Sequence, residues 1–192
     1  MYRKLIFALF SQSLAACTSI PLTSIPKLAR INFMTTDIPQ IRIAITAPPQ
    51  LGLMKPPGYF TYKYQIGGEA EHEDKIALEE TFDPVERANV PDDIPPGSSL
   101  HVFRMPSASA DQLQKLRDDE KQRATNGKKH GSLTIGIVGN FCKKSELPVG
   151  PILSTDFVLT SETQGWVTFT RNYDLRSTKT GQDELAKIES CS

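Results

Sequence analysis

Apolar and polar residues alternate along most of this chain from about residue 40 onward. Between residues 59 and 66, Phe60, Tyr62 and Tyr64 fall on one side, and Thr61 and Lys63 fall on the other. Successive side chains of a strand point to opposite faces, so a period of two predicts strands with one buried face. Proline and glycine pairs bound several of these segments, as turns require. The pattern predicts seven strands, at residues 40–47, 59–66, 75–82, 100–105, 133–141, 152–160 and 166–173.

One stretch between the fourth and fifth predicted strands has a helical pattern instead. Ser109 opens a capping box, and Leu113 and Leu116 form a narrow apolar edge. The residues after Leu116 are charged all round, and an Asn-Gly pair at 126–127 predicts the end of the helix. We therefore expect its first half to dock and its second half to project into solvent. A second, shorter helix is predicted at 182–190.

These elements predict a mainly β protein. Seven short strands separated by turns are typical of an antiparallel β-sandwich of the immunoglobulin-like or transthyretin-like kind. The pattern adds one inserted surface helix and leaves room for a short C-terminal helix. With 192 residues and no long linker, we expect one domain over residues 28–192.

The first residues have a different character. Arg3 and Lys4 precede an apolar run over residues 5–14, which leads into small residues and a cysteine at position 17. The run is about as long as the core of a signal peptide and well short of the ~20 residues that span a bilayer. No other segment of the sequence approaches that length. The pattern predicts secretion, either by an ordinary secretory signal or by a specialised one.

The sequence Leu14-Ala15-Ala16-Cys17 resembles the lipobox of bacterial lipoprotein precursors. The resemblance implies that Cys17 receives a diacylglycerol and that the chain is cut before it. Residues 1–16 would then be a signal peptide and residues 17–27 a short lipidated tether, in which Pro21 and Pro26 oppose regular structure. Thr18 stands where an aspartate would favour retention at the inner membrane. The expected location is therefore the cell envelope, with the outer membrane facing the periplasm favoured over the inner membrane.

Two cysteines are left once Cys17 is assigned to lipid. An even pair in an oxidising compartment predicts a disulfide between Cys142 and Cys191, which ties the C-terminus to the domain. A free Cys142 thiolate activated by His130 is the competing interpretation.

The overall charge favours no particular polyanion. Lys plus Arg and Asp plus Glu each number 22, so nucleic-acid binding is not expected. Basic residues gather near the end of the predicted helix. Lys121, Arg123, Lys128 and Lys129 are the candidate partner-binding patch, for lipid head groups, polysaccharide or an acidic protein. An ordinary solvated surface is the competing interpretation.

The sequence contains no recognisable catalytic motif, and it predicts no catalytic residue, no metal site and no cofactor. The three histidines, His72, His101 and His130, are scattered. The acidic cluster over residues 69–74 matches neither the EF-hand loop nor the zinc-protease helix. A solvated turn accounts for it better.

Beyond the signal, the chain resembles a group of uncharacterised alphaproteobacterial envelope lipoproteins. The resemblance rests on the segments 28–30, 35–43, 101–104, 131–135 and 173–175, and that group has no activity to transfer. The expected architecture is also similar to small β-sandwich lipoproteins of type VI secretion systems, at the level of fold alone.

We therefore expect a membrane-anchored module that binds an envelope protein or assists an assembly, and that is not an enzyme. An envelope hydrolase or metal-dependent enzyme is one alternative, which a histidine meeting carboxylates in a cleft would favour. A carrier of lipid or another small apolar ligand is the other alternative, and it requires a cavity between the sheets.

Overall fold

A computed structural model describes residues 20–32, 35–65, 72–125, 132–161 and 165–191. The strands are β1 Arg42–Ala47, β2 Leu51–Gln65, β3 His72–Ala77, β4 Glu79–Thr81, β5 Ser99–Arg104, β6 Ser132–Lys143, β7 Leu153–Leu159 and β8 Trp166–Asp174. The α-helices are α1 Ile25–Leu28, α2 Pro84–Ala88, α3 Ser107–Thr125 and α4 Lys179–Lys187. A 3-10 turn at Ile38–Gln40 precedes β1.

The described strands form two antiparallel sheets that pack face to face. The larger sheet has five strands in the order β4-β5-β1-β7-β8, and the smaller has three in the order β3-β2-β6. This arrangement confirms the predicted mainly β, antiparallel sandwich. Each of the seven predicted segments contains strand, but the described residues form eight strands rather than seven.

The main core lies between the two sheets. Ile43 and Phe103 point inward from the larger sheet and meet Phe60, Tyr62 and Ile76 from the smaller one. Each of the five is at least nine-tenths buried, so the period-two pattern does identify the inward face of these strands. Burying such side chains contributes about 1.5–3 kcal/mol each, which makes this layer the main source of stability.

The larger sheet is also buried on its outer face, contrary to the expectation of half-buried strands. Ala44, Val102, Phe157 and Trp166 form a second cluster there. Val90, from the segment between β4 and β5, packs onto this cluster. The alternation in β1 concealed this burial because its outward positions hold Arg42, Ala44 and Thr46 rather than large apolar residues.

An ion pair holds α2 against the larger sheet. The Nε atom of Arg42 donates to Oε1 of Glu86 at 2.7 Å. Burial alone raises the pKa of the Glu86 carboxyl, but hydrogen bonds from Thr81 and Arg42 and the Arg42 charge hold it below its ordinary value of 4.5. Helix α2, which the sequence pattern did not predict, is thus tied to β1 of the larger sheet.

The third predicted strand is two strands that belong to different sheets. The chain leaves the smaller sheet after Ala77 and joins the larger one at Glu79. Leu78 lies at the crossing, where its side chain is buried and its N–H donates to the carbonyl of Gly58 at 2.9 Å. A continuous apolar-polar pattern carries no sign of such a change of partner.

The second strand begins eight residues earlier than predicted, because the proline pair at 56–57 does not end it. The pairing with β6 shifts between Leu53 and Gly58, which places the prolines in a bulge. The side-chain amide of Asn140 donates to the carbonyl of Pro56 at 2.8 Å. A side chain on the neighbouring strand thus replaces one of the ladder bonds.

The helix α3 docks through the predicted edge. Leu113 is fully buried and Leu116 is partly buried against the main core. The helix begins at Ser107, so Ser109 lies in its first turn rather than at the N-cap. Docking also extends one residue further than expected, because Arg117 is buried and donates to the carbonyl of Thr36.

The C-terminal segment is joined to the end of β6. The sulfur atoms of Cys142 and Cys191 are bonded, with their Cα atoms 4.9 Å apart. On either side of this link, the N–H of Lys143 donates to the carbonyl of Glu189 and the N–H of Cys191 donates to the carbonyl of Lys143. These contacts hold α4, which runs from 179 to 187 rather than the predicted 182–190, against the smaller sheet.

Replacing Leu113 by alanine tests the docking of α3. We expect a loss of about 2–5 kcal/mol in the free energy of unfolding, because the change leaves a cavity under the helix. Urea denaturation of the purified protein measures it. Lys115→Ala, on the exposed side of the same helix, should change the value by less than about 0.5 kcal/mol. Equal effects of the two changes would contradict the docking.

Candidate functional site

Most of the residues that the sequence nominated for chemistry or binding cannot be placed. Cys17, His130, Lys128 and Lys129 lie outside the described residues, and the side chain of Arg123 is not described. Lys121 is exposed on α3, with its Nζ atom 3.8 Å from a carboxylate oxygen of Asp118. The predicted basic patch is therefore represented by Lys121 alone in the part of the chain that the structure describes.

Two further predictions concern nucleophiles and metals. Cys142 is bonded to Cys191, which leaves no thiolate there for the hypothesis of a Cys142–His130 pair. Among the described residues, no three His, Cys, Asp or Glu side chains come together as a metal site would require. The acidic cluster at 69–74 lies half outside these residues, and His72 is exposed at the start of β3.

The third histidine, His101, does meet a carboxylate. Its Nδ1 atom lies 2.7 Å from Oε1 of Glu80, and its Nε2 atom lies 2.9 Å from Oγ of Ser99. The side chains of His101 and Glu80 are about four-fifths buried, while Ser99 is exposed. The imidazole thus connects a largely buried acid to an exposed hydroxyl, which is the order of groups in a serine nucleophile site.

Strand geometry explains this arrangement. Ser99 and His101 are two residues apart on β5 and therefore share a face. Glu80 comes from the adjacent strand β4, whose separate existence the sequence pattern did not reveal. The sequence analysis missed Glu80 and Ser99 for this reason. With Nδ1–H donating to Glu80, the Nε2 atom is free to accept the Ser99 proton.

A cavity of about 310 Å³ lies at one end of the space between the sheets. Ile43 and Val158 of the larger sheet and Phe60 of the smaller sheet contribute to its walls. Leu28 and Ile31, from the segment before the first strand, line it as well. This segment includes α1, in which Pro26 occupies a first-turn position and so starts the helix instead of preventing it.

A second depression, of about 560 Å³, lies on the outer face of the smaller sheet beside α4. Met54 and Val138 line it and are 40% and 49% exposed. Leu185 and Ile188 of the C-terminal segment form its other side. We call this depression the outer groove. Apolar residues form part of its lining, which also includes the charged residues Lys75, Glu184, Lys187 and Glu189.

The outer groove borders the free edge of β6. Within the described residues, β6 pairs with β2 on one side, and on its other side it meets only the C-terminal segment at Lys143. Residues 133–142 carry no charge. By contrast, the opposite edge strand β3 begins with His72, Glu73, Asp74 and Lys75, which is how natural sheets protect an edge.

Asp156 is an acid on the inner face of the larger sheet, where it is partly buried. Asp156 is paired with Ile45 across β1 and β7, and therefore faces the smaller sheet. Its two carboxylate oxygens accept hydrogen bonds from Ser154 at 2.9 Å and from Thr170 at 2.8 Å. Burial raises the pKa of Asp156 above its ordinary value of 3.8, although these two hydroxyls oppose the rise.

The hydroxyl of Ser154 explains why a neutral Asp156 suits this place. It has one proton and two acceptors, since the carbonyl of Thr46 lies 3.2 Å away. When Asp156 is protonated, it can donate to Ser154, and Ser154 can then donate to Thr46. All three groups are satisfied only in that state.

Comparison with protein-family models, with curated proteins and with solved structures finds no match for this chain. No helix among the described residues is long and apolar enough to cross a membrane. Any assignment of function therefore rests on the surfaces and side chains described above.

Asp156→Asn should change how stability depends on pH. Because the folded-state pKa is raised, the stability that neutral Asp156 provides is fully present below about pH 3.8 and is lost as pH rises through the folded-state value. The asparagine variant should therefore be more stable than wild type at neutral pH, by about 1.4 kcal/mol for each unit of the shift. The two should converge in acid.

Urea denaturation between about pH 3 and pH 8 measures this difference. Asp119→Asn, the same change at an exposed position on α3, is the matched control and should show no comparable gain. A variant less stable than wild type at neutral pH would contradict the assignment.

Proposed function

We propose that this protein is an envelope lipoprotein, anchored through Cys17, that binds a protein partner as an accessory to an assembly. The observation that carries the proposal is the uncharged edge of β6 beside the outer groove, which no other described strand covers. The lipobox resemblance supplies the anchor, and the short tether keeps the domain near its membrane.

The edge and the groove complement each other chemically. A free edge strand offers unpaired N–H and C=O groups, and these recognise the backbone of any extended partner segment. The side chains of an added strand point alternately to the two faces of the sheet. Alternate apolar side chains of the partner would therefore lie on the same face as Met54 and Val138, which gives selectivity that the backbone alone lacks.

Val138→Lys tests this interface. A lysine on an edge strand opposes pairing with another strand and introduces a charge into the outer groove. We expect cross-linking in living cells, followed by purification and mass spectrometry, to recover one dominant partner with wild type. Recovery with Val138→Lys should fall about tenfold or more, equivalent to roughly 1.4 kcal/mol of binding free energy.

Two variants control this experiment. Val149→Lys makes the same change at a fully exposed loop residue and should leave recovery intact. Lys121→Glu tests the surface of α3 that the sequence nominated. Loss with Lys121→Glu but not with Val138→Lys would move the interface to α3, and the absence of a reproducible partner with wild type would reject the binding role. Cys17→Ser should release the protein from the membrane fraction.

A second candidate function is hydrolysis of an ester or amide. The contacts of Ser99, His101 and Glu80 support it, because they join a histidine to a carboxylate on one side and a hydroxyl on the other. In this role Ser99 attacks the carbonyl carbon, His101 takes the hydroxyl proton and returns it to the leaving group, and Glu80 holds the imidazole. Water then completes the hydrolysis of the acyl-enzyme. In the structural alternative, these groups only connect neighbouring strands.

Labelling with a fluorophosphonate distinguishes the two interpretations. If the site is catalytic, wild type is labelled at Ser99, whereas Ser99→Ala and His101→Gln lose the label while circular dichroism shows retained folding. Hydrolysis of a p-nitrophenyl ester should fall at least ~10³-fold in each variant. An unlabelled wild-type protein that retains its fold would leave only the structural role.

A further inference from the structure

We propose that the cavity between the sheets binds one acyl chain. This inference goes beyond the protein-binding role, because it concerns the inside of the sandwich rather than its surface. Three observations support this proposal: the lining, the size and the position of the cavity.

The lining is apolar and carries no charge. Four isoleucines, a leucine, a valine and two phenylalanines surround the space, and Thr36 and Thr160 are its polar lining residues. Such a surface offers a ligand contact area but almost no hydrogen bonds. A polar or charged ligand would lose its hydration without replacement, so the chemistry selects a hydrocarbon.

The cavity follows from the unequal sizes of the two sheets. The buried inter-sheet cluster takes its residues from β1 and β5 of the larger sheet and includes none from β8. Phe169 of β8 lines the cavity and is 43% exposed. Three strands leave this end of the five-stranded sheet incompletely covered, and the space is therefore preformed by the fold.

The volume matches a chain of moderate length. A value of about 310 Å³ is roughly twice the ~150 Å³ of an apolar cavity that holds benzene. By the same scale the cavity accommodates about a dozen carbons. A longer chain would have to extend out of it.

The cavity lies next to the N-terminal segment that leads to the proposed membrane anchor. Leu28 and Ile31 are the first residues of the chain that line it, and α1 lies beside β8. Leu22 and Ile25 in the same segment are 82% and 49% exposed. If Cys17 is lipidated as proposed, eleven residues separate it from Leu28, a reach of at most ~38 Å. Membrane lipid is then the nearest source of an acyl chain. The apolar lining of the cavity, by contrast, is present with or without the anchor.

Displacement of a fluorescent fatty acid, dansyl-undecanoate, tests the site. Full-length Cys17→Ser protein is used because it lacks an acyl chain of its own. Saturated fatty acids of about eight to sixteen carbons should displace the probe with an affinity that rises roughly fourfold per methylene. The affinity should level off near twelve carbons, when the cavity is full. Affinity that keeps rising with length, or no displacement at all, would overturn the proposal.

Matched variants locate the binding. Val158→Phe fills the cavity and should weaken binding at least tenfold. Val149→Phe makes the same change at a fully exposed loop residue and should leave binding unchanged. Ile31→Asp introduces a charge at the cavity and should also abolish binding. Because Ile31 lies outside both sheets, this variant tests the site even if Val158→Phe impairs folding. Equal probe binding by Cys17→Ser protein with and without Ile31→Asp would exclude this cavity.

Native mass spectrometry identifies the source of the chain. Wild type extracted from membranes should carry a lipid in addition to its covalent anchor if the occupant is a membrane lipid. If the anchor's own chain occupies the cavity, wild type should carry no added lipid and should fail to bind the probe that Cys17→Ser protein binds. Wild type that binds the probe but carries no lipid from cells would overturn a role for the site in the membrane.

Discussion

The five-stranded sheet must be covered on both faces, and most of the structure is a response to that requirement. Its inner face carries Ile43, Ile45 and Phe103, and its outer face carries Phe157 and Trp166. Apolar area of this size is stable only when it is removed from water. The three-stranded sheet covers one face incompletely, and the segment between β4 and β5 covers the other.

The proposed surfaces arise where this coverage is incomplete. At one end of the inner face the smaller sheet does not reach β8, and a preformed apolar cavity is left. At the edge of the smaller sheet, β6 has no further strand to pair with among the described residues. A cavity and an open edge are the two places where a sandwich can accept something from outside, the first a hydrocarbon chain and the second an extended backbone.

Two partly buried polar side chains of the larger sheet are each held by hydrogen bonds to particular neighbours. Asp156 is retained on the inner face of the larger sheet because Ser154 and Thr170 bond its oxygens, and the shared proton of Ser154 favours its neutral form. His101 is held between Glu80 and Ser99, and the same contacts that join neighbouring strands create the order of groups that nucleophilic catalysis uses. In both places, strand pairing and strand-face alternation bring together residues that are distant or unremarkable in sequence.

Local pattern was sufficient for the strands, the sandwich and the apolar edge of α3, because side-chain alternation and helical spacing depend on near neighbours alone. The N-terminal motif and the cysteine pairing likewise gave predictions from sequence. Alternation did not show that Leu78 divides two sheets, that Glu80 faces His101, or that α2 covers the sheet, since these depend on which strands become neighbours. The cavity and the open edge became visible only in the tertiary structure. The cavity depends on how far one sheet extends over the other, and the open edge depends on which strands lie beside β6.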